Sequence, residues 1–427
     1  MKKLQMIISV SIFLLFLFWM HVPLSVYADE DPTVIVIDPG HGGDNLGAEF
    51  DTYTEKNMTM TVALAMKEEL EKYDNVIVYL TREGDESMSI KDRALFAKEK
   101  NADFLFCLHF NSSVNHNLYG AEVWVSAFGD YYVLGRQFAE INMQLFEEMG
   151  LFSRGIKVRL NDSDDNYYGI LRYCTDLGVP SVLIEHCHLD NSMDFPFYQK
   201  GEDQLKEFGR KDAEAVATYF GLTSSLTGAD YSNFPNTDIS YQEIVRPDKT
   251  EPEECSIEVL SVNEKEATAS VAIHAKDADS YIQYYNYSLD GGNTWSELLS
   301  WPRTYWNSSE DDHVFTVQLP FDQDIELRAA AYNGYDVFTE SNIVMIPAIA
   351  SPETPSPSAV QKDTTAIETY KEITYESSPD ESYFSRREKA YLILLILLIS
   401  LIMAGILYAM VRMILKLKKY NNRHREP

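Results

Sequence analysis

The sequence predicts an α/β domain with a single, mostly parallel sheet sandwiched by helices, followed by a small all-β sandwich and one transmembrane helix. Three observations predict this order. Short apolar runs alternate with segments of helical periodicity over residues 32–222. Short strands with alternating polarity and turn residues between them fill residues 255–348. An unbroken apolar run occupies residues 390–411, which is long enough to cross a bilayer as a helix.

The first strand is predicted at the β-branched run Val34 to Ile37, within the motif TVIVIDPGHGG at residues 33–43. Its β-branched residues form an unbroken run, which is typical of a strand buried on both faces of a parallel sheet. His41 follows just past the end of this strand, after Pro39 and Gly40 turn the chain. Because open α/β sheets bind ligands beyond the carboxyl ends of their strands, His41 is a candidate functional residue.

Two later apolar runs end in the same way. Residues 104–109, FLFCLH, end on His109, and residues 181–185, SVLIE, end on Glu185. The carboxyl ends of parallel strands meet at one edge of a sheet. We therefore expect His41, His109 and Glu185 to lie near one another.

Glu55 directly precedes a predicted helix, in which Met58, Val62, Met66 and Leu70 recur at helical spacing. One interpretation is a first-turn glutamate that complements the helix dipole. The other is chemical: two imidazoles and one carboxylate occupy three positions of a tetrahedral zinc and leave the fourth open, as catalytic zinc requires. This second interpretation predicts a Zn²⁺ site formed by His41, Glu55 and His109. Glu185 would then accept the proton of the zinc-bound water.

Several motifs, in this order, carry a family resemblance: DPGHGG, EKN around Glu55, LTRxxD at 80–85, Arg93, LHFNSS around His109, GAEVW from Gly120, RGIK from Arg154, LR at 171–172, and VLIEHCHLDN around Glu185. From about residue 33 to 222 the chain resembles the zinc-dependent N-acetylmuramoyl-L-alanine amidases of the amidase type 3 family. The resemblance implies a catalytic α/β domain over residues 32–222. It also implies hydrolysis of the amide between N-acetylmuramic acid and L-alanine in bacterial peptidoglycan, with His41, Glu55 and His109 on zinc and Glu185 as the catalytic carboxylate.

The chain departs from the family pattern at two places. Asn45 stands where the family usually has Asp, which removes a charge beside the predicted metal. His186, Cys187 and His188 follow Glu185, where the family usually has a small or hydrophobic residue and then Gly-Phe. The two histidines could surround the metal ligands, replace one of them, or be structural. Because side chains alternate along a strand, only one of them can share the face of Glu185 if the strand continues.

Four polar residues are predicted to contact the substrate: Arg82, Arg93, Asn111 and Arg172. Guanidinium groups pair well with carboxylates, and the stem peptide of peptidoglycan carries carboxylates. The alternative for Arg82 and Arg93 is an ion pair with Asp85 or Asp92 that holds the loop in place.

The two ends of the chain predict its location. Lys2 and Lys3, an apolar stretch and a small-residue site at Ala28 are typical of a signal peptide over residues 1–28, although an uncleaved anchor is an alternative. The apolar run 390–411 is followed by a basic tail, 412–427. The positive-inside rule places this tail in the cytoplasm and the folded part outside. The sequence thus predicts a single-pass protein of the cell membrane with an extracellular catalytic domain.

Charge excludes one class of partner. The chain has 36 Lys and Arg against 66 Asp and Glu, a formal net charge of −30. The basic tail holds six of these cations, so the part between the two ends is more acidic still. Since nucleic-acid binding depends on basic surfaces, we expect no nucleic-acid ligand.

Residues 223–254 are rich in Ser, Thr, Asp, Asn and Pro and predict a linker. The predicted sandwich at 255–348 is of immunoglobulin or fibronectin type III kind. Residues 349–389 are predicted to be a disordered stalk. The aromatic residues of the sandwich predict either core or a carbohydrate-stacking face: Tyr281, Tyr284, Tyr285, Tyr287, Trp301, Tyr305 and Trp306.

The four cysteines, Cys107, Cys174, Cys187 and Cys255, are too few and too scattered for a disulfide scaffold. A bridge between Cys174 and Cys187 is left open by the sequence. The leading hypothesis is a membrane-tethered zinc amidase of peptidoglycan, and the sequence leaves any protein partner unknown. Two alternatives stand beside it: a catalytically silent wall-binding or signalling ectodomain, and a zinc peptidase that cuts within the stem peptide.

Overall fold

A computed structural model describes residues 31–303 and 311–352. The predicted signal peptide (1–28), the apolar run (390–411) and the basic tail (412–427) lie outside the described residues, as does the stalk beyond residue 352. None of the helices in the described part of the chain has the length and hydrophobicity needed to cross a bilayer.

The first domain is built on a six-stranded sheet. Its strands are β1 (Thr33–Pro39), β4 (Val76–Leu80), β5 (Phe104–Asn111), β6 (Ala121–Val125), β7 (Ser153–Lys157) and β8 (Ser181–His188), in the spatial order β4-β1-β5-β8-β6-β7. Every neighbouring pair is parallel except β6 with β8, which is antiparallel. The prediction of a mostly parallel sheet is confirmed. A short hairpin of β2 (Glu49–Phe50) and β3 (Tyr53–Thr54) connects β1 to the first helix.

Five α-helices cover the two faces of this sheet within the described residues: α1 (Glu55–Leu70), α2 (Ile90–Glu99), α3 (Gly129–Glu148), α4 (Gly169–Leu177) and α5 (Glu202–Phe220). The alternation along β1 shows how the layers form. Ile35 and Ile37 belong to a hydrophobic cluster with residues of α1, α3 and α5, whereas Val36 belongs to a second cluster with residues of α2 and α4. Because successive side chains of a strand point to opposite faces, an unbroken apolar run buries both sides of the sheet.

The second domain consists of two antiparallel sheets. One has β13 (Asp312–Gln318), β10 (Thr268–Lys276) and β9 (Glu254–Asn263) in that order; the other has β12 (Leu299–Ser300), β11 (Ile282–Ser288), β14 (Ile325–Asn333) and β15 (Phe338–Glu340), with β16 (Val344–Ile346) also on β14. Alternate side chains from both sheets share one hydrophobic cluster, which includes Val271, Leu327 and Trp301. This two-sheet packing is the usual way in which antiparallel strands bury one face.

The segment predicted as a linker is hydrogen-bonded to the first domain. The Val245 N–H donates to the Ala127 carbonyl at 2.8 Å, and the Gly129 N–H donates to the Glu243 carbonyl at 3.2 Å. Nearer its start, the Asp74 N–H donates to the Thr223 carbonyl at 2.8 Å. These bonds hold the segment against the first domain before β9 begins.

The two domains meet through a buried polar and aromatic interface. The Tyr281 hydroxyl donates to the Arg154 carbonyl at 2.8 Å, and the Tyr284 hydroxyl donates to the Tyr119 carbonyl. The Tyr284 and Tyr119 rings pack edge to face, 5.0 Å between centroids. Arg154, only 2 % exposed, pairs with Asp336 of the second domain at 2.7 Å. Tyr281 and Tyr284, which the sequence predicted as core residues or as part of a carbohydrate-stacking face, are therefore residues of the domain interface.

Tyr285 and Trp301 instead pack inside the sandwich, edge to face at 5.8 Å between ring centroids. Tyr287 packs at the margin of the same cluster. Tyr305 and Trp306 lie outside the described residues.

Candidate metal centre

His41 occupies the turn after β1 in a left-handed backbone conformation, with φ of 62°. Histidine is one of the few residues other than glycine that adopts this region with some frequency. The conformation is held by Arg93, whose Nη2 donates to the His41 carbonyl at 2.5 Å. On the side chain, Nδ1 lies 3.0 Å from Asn45 Oδ1, and Nε2 lies 2.9 Å from Glu55 Oε2. Asn45 thus favours the tautomer that leaves Nε2 free of a proton.

Glu55 is the first residue of α1 and is buried, with 4 % of its surface exposed. Its Oε2 accepts from the Ala48 N–H at 2.7 Å, and its Oε1 accepts from the Phe110 N–H at 3.0 Å. His109 Nδ1 lies 2.8 Å from the same Oε1. Glu55 therefore lies in the first helical turn, as one interpretation predicted, and its carboxylate also joins the two imidazoles, as the other required.

Glycines allow this close approach. A Cβ atom at Gly40 would lie 2.5 Å from His109 Cε1. At Gly47, which has φ of +74°, a Cβ atom would lie 2.5 Å from Glu55 Oε2 and 2.7 Å from His41 Cδ2. Any larger residue would displace a ligand atom, so the spacing of these glycines is part of the site.

The structure brings the three predicted ligands together: one donor atom from each of His41, Glu55 and His109 lies within 4.8 Å of the others. The imidazole rings stand edge to face, 4.8 Å between centroids. Two imidazoles and a carboxylate make a donor set that fits Zn²⁺ with one position left open.

The electrostatics of the cluster agree with an ionised carboxylate. Burial opposes ionisation of Glu55, but hydrogen bonds and charge from His109 and His41 lower its pKa well below the usual range. Burial also lowers the pKa of His41, but the hydrogen bond and charge of Glu55 outweigh it and raise that pKa above its ordinary value. A buried anion held between imidazoles is well prepared to share a cation with them.

Glu185 lies beside this cluster on the neighbouring strand. It is the register partner of His109 across β5 and β8 and of Glu122 across β8 and β6, so all three side chains project from one face of the sheet. Glu185 is 9 % exposed, and its Oε2 is buried without a hydrogen-bond partner among the described residues. Burial, and then the charges of Glu55 and Glu122, raise the pKa of Glu185 well above its usual range.

These residues line a cleft of about 220 Å³. His41, His109 and Glu185 form its polar side, and Ile90, Ile170 and Leu183 form part of its apolar side. A cleft with few polar groups converging on an apolar wall is typical of a small-ligand or active site.

Arg82 and Arg93 have structural partners. Arg82 is buried and donates to four backbone carbonyls, those of Pro39, Gly40, Lys56 and Gly84, at 2.8 to 3.0 Å. Arg93 donates to the carbonyls of Pro39, His41 and Met88 and pairs with Asp38 at 2.7 Å. Both arginines hold the loop in place, as the alternative interpretation predicted. Their partners are backbone carbonyls and Asp38, however, and not Asp85 or Asp92. This arrangement gives no support to binding of substrate carboxylates by either arginine.

The two other predicted substrate residues are also engaged. Asn111 Nδ2 donates to Glu122 Oε1 at 2.9 Å. Arg172 Nη1 donates to the Asn166 carbonyl at 2.6 Å and to the Tyr167 carbonyl at 3.3 Å, so it holds the loop that precedes α4. Asn111 thus contacts Glu122, which lies opposite Glu185 in the sheet, whereas Arg172 holds the backbone at Tyr167.

His186 and His188 stand apart from the metal cluster. His186 is fully buried, with Nε2 2.8 Å from Asp212 Oδ2 of α5 and Nδ1 2.8 Å from the His109 carbonyl. His188 Nδ1 lies 3.1 Å from the Gly120 carbonyl. Both have structural positions. Cys174 and Cys187 are free thiols, so the bridge that the sequence left open is absent from the described structure.

The sequence did not predict a buried charge network that lies beside Glu185 on the same face of the sheet. Glu122 Oε2 accepts from Arg154 Nε at 2.9 Å and from Lys157 Nζ at 2.8 Å, and all three residues are almost fully buried. Burial opposes ionisation of Glu122, but the charges of Lys157 and Arg154 lower its pKa well below the usual range. The GAEVW and RGIK motifs contain these residues, but their pairing needs the contact of β6 with β7.

The fold and the cluster together define a class: an α/β protein with a His–Glu–His candidate metal centre at the carboxyl ends of its central strands. Residues 35–218 match the amidase type 3 family, described as N-acetylmuramoyl-L-alanine amidase. A putative N-acetylmuramoyl-L-alanine amidase of Buchnera aphidicola subsp. Schizaphis graminum is 35% identical over 246 residues, covering 47% of this chain and 100% of that protein. The chain therefore belongs to the N-acetylmuramoyl-L-alanine amidase family. This confirms the family, and with it the class of enzyme, that the motifs predict.

Other relatives match in part. The probable N-acetylmuramoyl-L-alanine amidase AmiB of Haemophilus influenzae is 37% identical over 115 residues, which is 26% of this chain and 26% of that protein. The chain thus spans about a quarter of that relative and the whole of the Buchnera protein. Among solved structures, an N-acetylmuramoyl-L-alanine amidase from Clostridium difficile 630 is 26% identical, covers 44% of this chain and 97% of that chain, and has a TM-score of 0.39.

Proposed function

We propose that this protein binds Zn²⁺ through His41, Glu55 and His109 and hydrolyses the amide bond between N-acetylmuramic acid and L-alanine in peptidoglycan. One observation carries the proposal: three donor atoms lie within 4.8 Å of one another, directly beside a buried carboxylate on the adjacent strand. Binding alone would not require Glu185 at that position.

The residues divide the work as follows. Zn²⁺ in the cluster would supply a Lewis acid and a bound water of lowered pKa. Glu185 accepts the proton of the attacking water at a carboxylate oxygen and then delivers it to the leaving nitrogen. Burial and the neighbouring carboxylates raise the pKa of Glu185, which makes its ionised form a stronger base than an exposed glutamate.

The rest of the cleft supports that exchange. Ile90, Ile170 and Leu183 give the cleft beside Glu185 an apolar wall. Asn45 and Arg93 orient His41, from its Nδ1 and its carbonyl respectively. The metal ligands and the base are thereby fixed before substrate arrives.

The central test is a Glu185→Gln variant of the full-length protein. We expect turnover of muropeptides to fall by about 10²- to 10⁴-fold, the usual contribution of a general base, while zinc content stays near stoichiometric. Glu214→Gln on α5, where Glu214 pairs with Lys211 on the outer surface, is the matched control and should keep full activity. Unchanged turnover of the Glu185→Gln variant would remove the assigned base.

Chelation and product analysis separate the alternatives. Removal of zinc should abolish cleavage, and its return should restore it. Mass spectrometry of the products identifies the broken bond: release of intact stem peptides from the glycan supports the amidase, and shortened stem peptides support a zinc peptidase. A protein that binds peptidoglycan but cleaves nothing at full zinc occupancy would support the silent ectodomain.

We further propose that the enzyme acts at the outer face of the cell membrane, held by a span at 390–411 with the tail 412–427 in the cytoplasm. The support is the apolar run and the basic residues that follow it. Protease treatment of intact protoplasts tests this: an epitope placed in the sandwich should be digested and one at the C-terminus protected. Protection of both would contradict the proposed orientation.

A further inference from the structure

A second groove, of about 560 Å³, opens beside the metal centre between the two domains. Trp124 and Arg159 contribute to its first-domain side, and Lys249 and Asp336 lie on the other side. Tyr168 lines both this groove and the cleft that contains Glu185. The two cavities are therefore neighbours that share a wall, and a chain-like substrate could extend from one into the other.

The walls of the groove are held in place by contacts across the domain interface. Asp336 Oδ2 pairs with buried Arg154 at 2.7 Å, and the Val158 N–H donates to the Tyr335 hydroxyl at 3.2 Å. Arg154 in turn pairs with Glu122, the register partner of Glu185. The groove is thus preformed, and its position relative to the proposed base is fixed.

Two cations in the groove make no ion pair among the described residues. Arg159 and Lys249 are both exposed, and Arg159 stacks over the Tyr167 ring with 3.7 Å between Cζ and the ring centroid. Stacking fixes the plane of the guanidinium, and Tyr168 takes up one of its hydrogen bonds; the other N–H groups at its edge can bind a further partner. Unpaired cations are notable in a chain with a net charge of −30.

Most acidic groups of the groove are already engaged. Glu122 pairs with Arg154 and Lys157, and Asp336 accepts from Arg154 and from Gln283 Nε2 at 2.7 Å. Asp248 accepts from Ser280 and Asn333 at 2.7 and 2.8 Å. Asp162 is exposed and has no ion pair in the described structure, and Asp248 is bound by neutral donors, so both keep a negative charge that would repel an anion. Arg159 and Lys249 are therefore the cations of the groove that are not already paired with one of its carboxylates.

We propose that this interdomain groove binds an anionic segment of the stem peptide, with Arg159 and Lys249 pairing with its carboxylates while the scissile amide lies at the metal centre. The proposal rests on the proposed amidase function and assigns to these two residues the carboxylate binding that the sequence predicted for Arg82 and Arg93. Carboxylates, rather than the neutral hydroxyl and acetamido groups of the glycan, are the groups that paired cations select.

Kinetics with two muropeptides test the proposal, one with free stem-peptide carboxylates and one with the same groups amidated. For the unmodified full-length enzyme we expect a lower KM with the free carboxylates. The Arg159→Ala, Lys249→Ala double variant should raise this KM about tenfold, the size of one or two charge-assisted hydrogen bonds, with kcat unchanged. Its KM for the amidated substrate should not change. The Lys206→Ala, Arg210→Ala double variant, on the outer surface of α5, is the charge-matched control.

The Asp162→Asn variant should change KM in the opposite direction. Removing this negative charge should lower KM for the free-carboxylate substrate and leave the amidated substrate unaffected, a pattern that general damage to the fold would not give. If the unmodified enzyme does not distinguish the two substrates, or if the double variant keeps their KM ratio, the groove does not bind the anionic segment.

A binding measurement separates this outcome from failure of the proposed function. Calorimetric titration of the Glu185→Gln protein with stem peptide, free or amidated, needs no turnover. Preference for the free peptide that is lost with the Arg159→Ala, Lys249→Ala changes supports the groove even if no amide is cleaved. Equal binding of both peptides overturns the groove even if the enzyme is an active amidase.

Discussion

At the scale of single residues, Asn45 determines how His41 faces the metal cluster. Its Oδ1 accepts from His41 Nδ1 at 3.0 Å and from the Gly47 N–H at 3.2 Å. The same oxygen therefore orients the ligand and fixes the loop that passes over Glu55. Asn45 does this as a neutral amide and so brings no charge to the metal ligands.

We predict that Asn45→Ala weakens zinc affinity by about 10- to 100-fold, the usual cost of losing the group that orients a metal-bound histidine. Asn45→Asp keeps the acceptor and should bind zinc at least as tightly as the natural sequence. Competition with a fluorescent chelator measures both affinities. Equal affinity of the Ala and Asn forms would show that Asn45 does not position His41.

His188 gives a prediction about pH. Burial, and then the charge of Arg154, lower the pKa of His188 to about 4. An unfolded histidine has a pKa of about 6.5, so below that pH the unfolded chain takes up a proton that the folded protein refuses. The contribution of neutral His188 to stability is thus complete above pH 6.5 and is lost as the pH falls towards 4.

We expect the unfolding free energy of the natural protein, relative to a His188→Gln variant, to fall by up to about 1.4 kcal/mol per pH unit between pH 6.5 and 4. Urea unfolding of the two proteins across this interval measures the difference. The comparison with the variant is needed because Asp194 also titrates in this interval. Burial raises the pKa of Asp194 to about 6, so its contribution to folding stability decreases as the pH rises through that value. A difference that is independent of pH would contradict the assignment.

At the scale of elements, α1 carries Glu55, and its position depends on close contact with α5. Gly209 of α5 faces α1 so closely that a Cβ atom would lie 2.3 Å from the Val62 carbonyl oxygen and 2.8 Å from the Met66 nitrogen. The obstacle is backbone, which cannot rotate away. The helix pair is therefore packed at a distance that only glycine permits.

We predict that Gly209→Ala destabilises the protein by about 1–3 kcal/mol through overpacking, although alanine is the better helix former. Gly135→Ala on α3 is the control, since its Cβ atom would meet only side-chain atoms, the nearest at 3.2 Å. Chemical denaturation should show the larger loss for Gly209→Ala. Equal stability of the two variants would mean that α1 and α5 separate easily.

The elements also show what the sequence could reveal. The buried runs that end on His41, His109 and Glu185 predicted both the strands and the edge where these residues meet, because an apolar period and a strand end are local signals. Glu55 was ambiguous from its local sequence, since its two roles differ only in what lies across the loop. β6 and β7 run antiparallel to the other four strands, and their parallel contact with each other pairs Glu122 with Lys157; neither feature left a local signal.

At the scale of the whole molecule, the two domains share one buried charge. Arg154 lies between Glu122 of the first domain and Asp336 of the second, with Tyr284 Oη 3.2 Å from its Nη1. Arg154 and Asp336 are 182 residues apart in the chain, and no periodicity or motif links them. The sequence predicted a linker and a separate sandwich, and only the fold reveals that the sandwich completes the surroundings of Arg154.

We predict that the two described domains unfold in one calorimetric transition. Asp336→Asn should lower the free energy of unfolding by about 1–3 kcal/mol, because the buried guanidinium of Arg154 loses a charged partner. Asparagine suits the substitution, since residue 336 has φ of 66°. Asp322→Asn, at φ of 61° but away from the interface, is the matched control. Two separate transitions, with Asp336→Asn affecting only one, would show that the domains unfold independently.

The shared arginine has a practical consequence for protein engineering. A shortened enzyme that ends near residue 222 would keep every proposed metal ligand, yet it would strip the hydroxyl of Tyr284 from the Tyr119 carbonyl and half of the counter-charge from Arg154. A protein shortened to its first domain therefore needs a redesigned surface at this place, for example an uncharged residue instead of Arg154, which leaves Glu122 paired with Lys157.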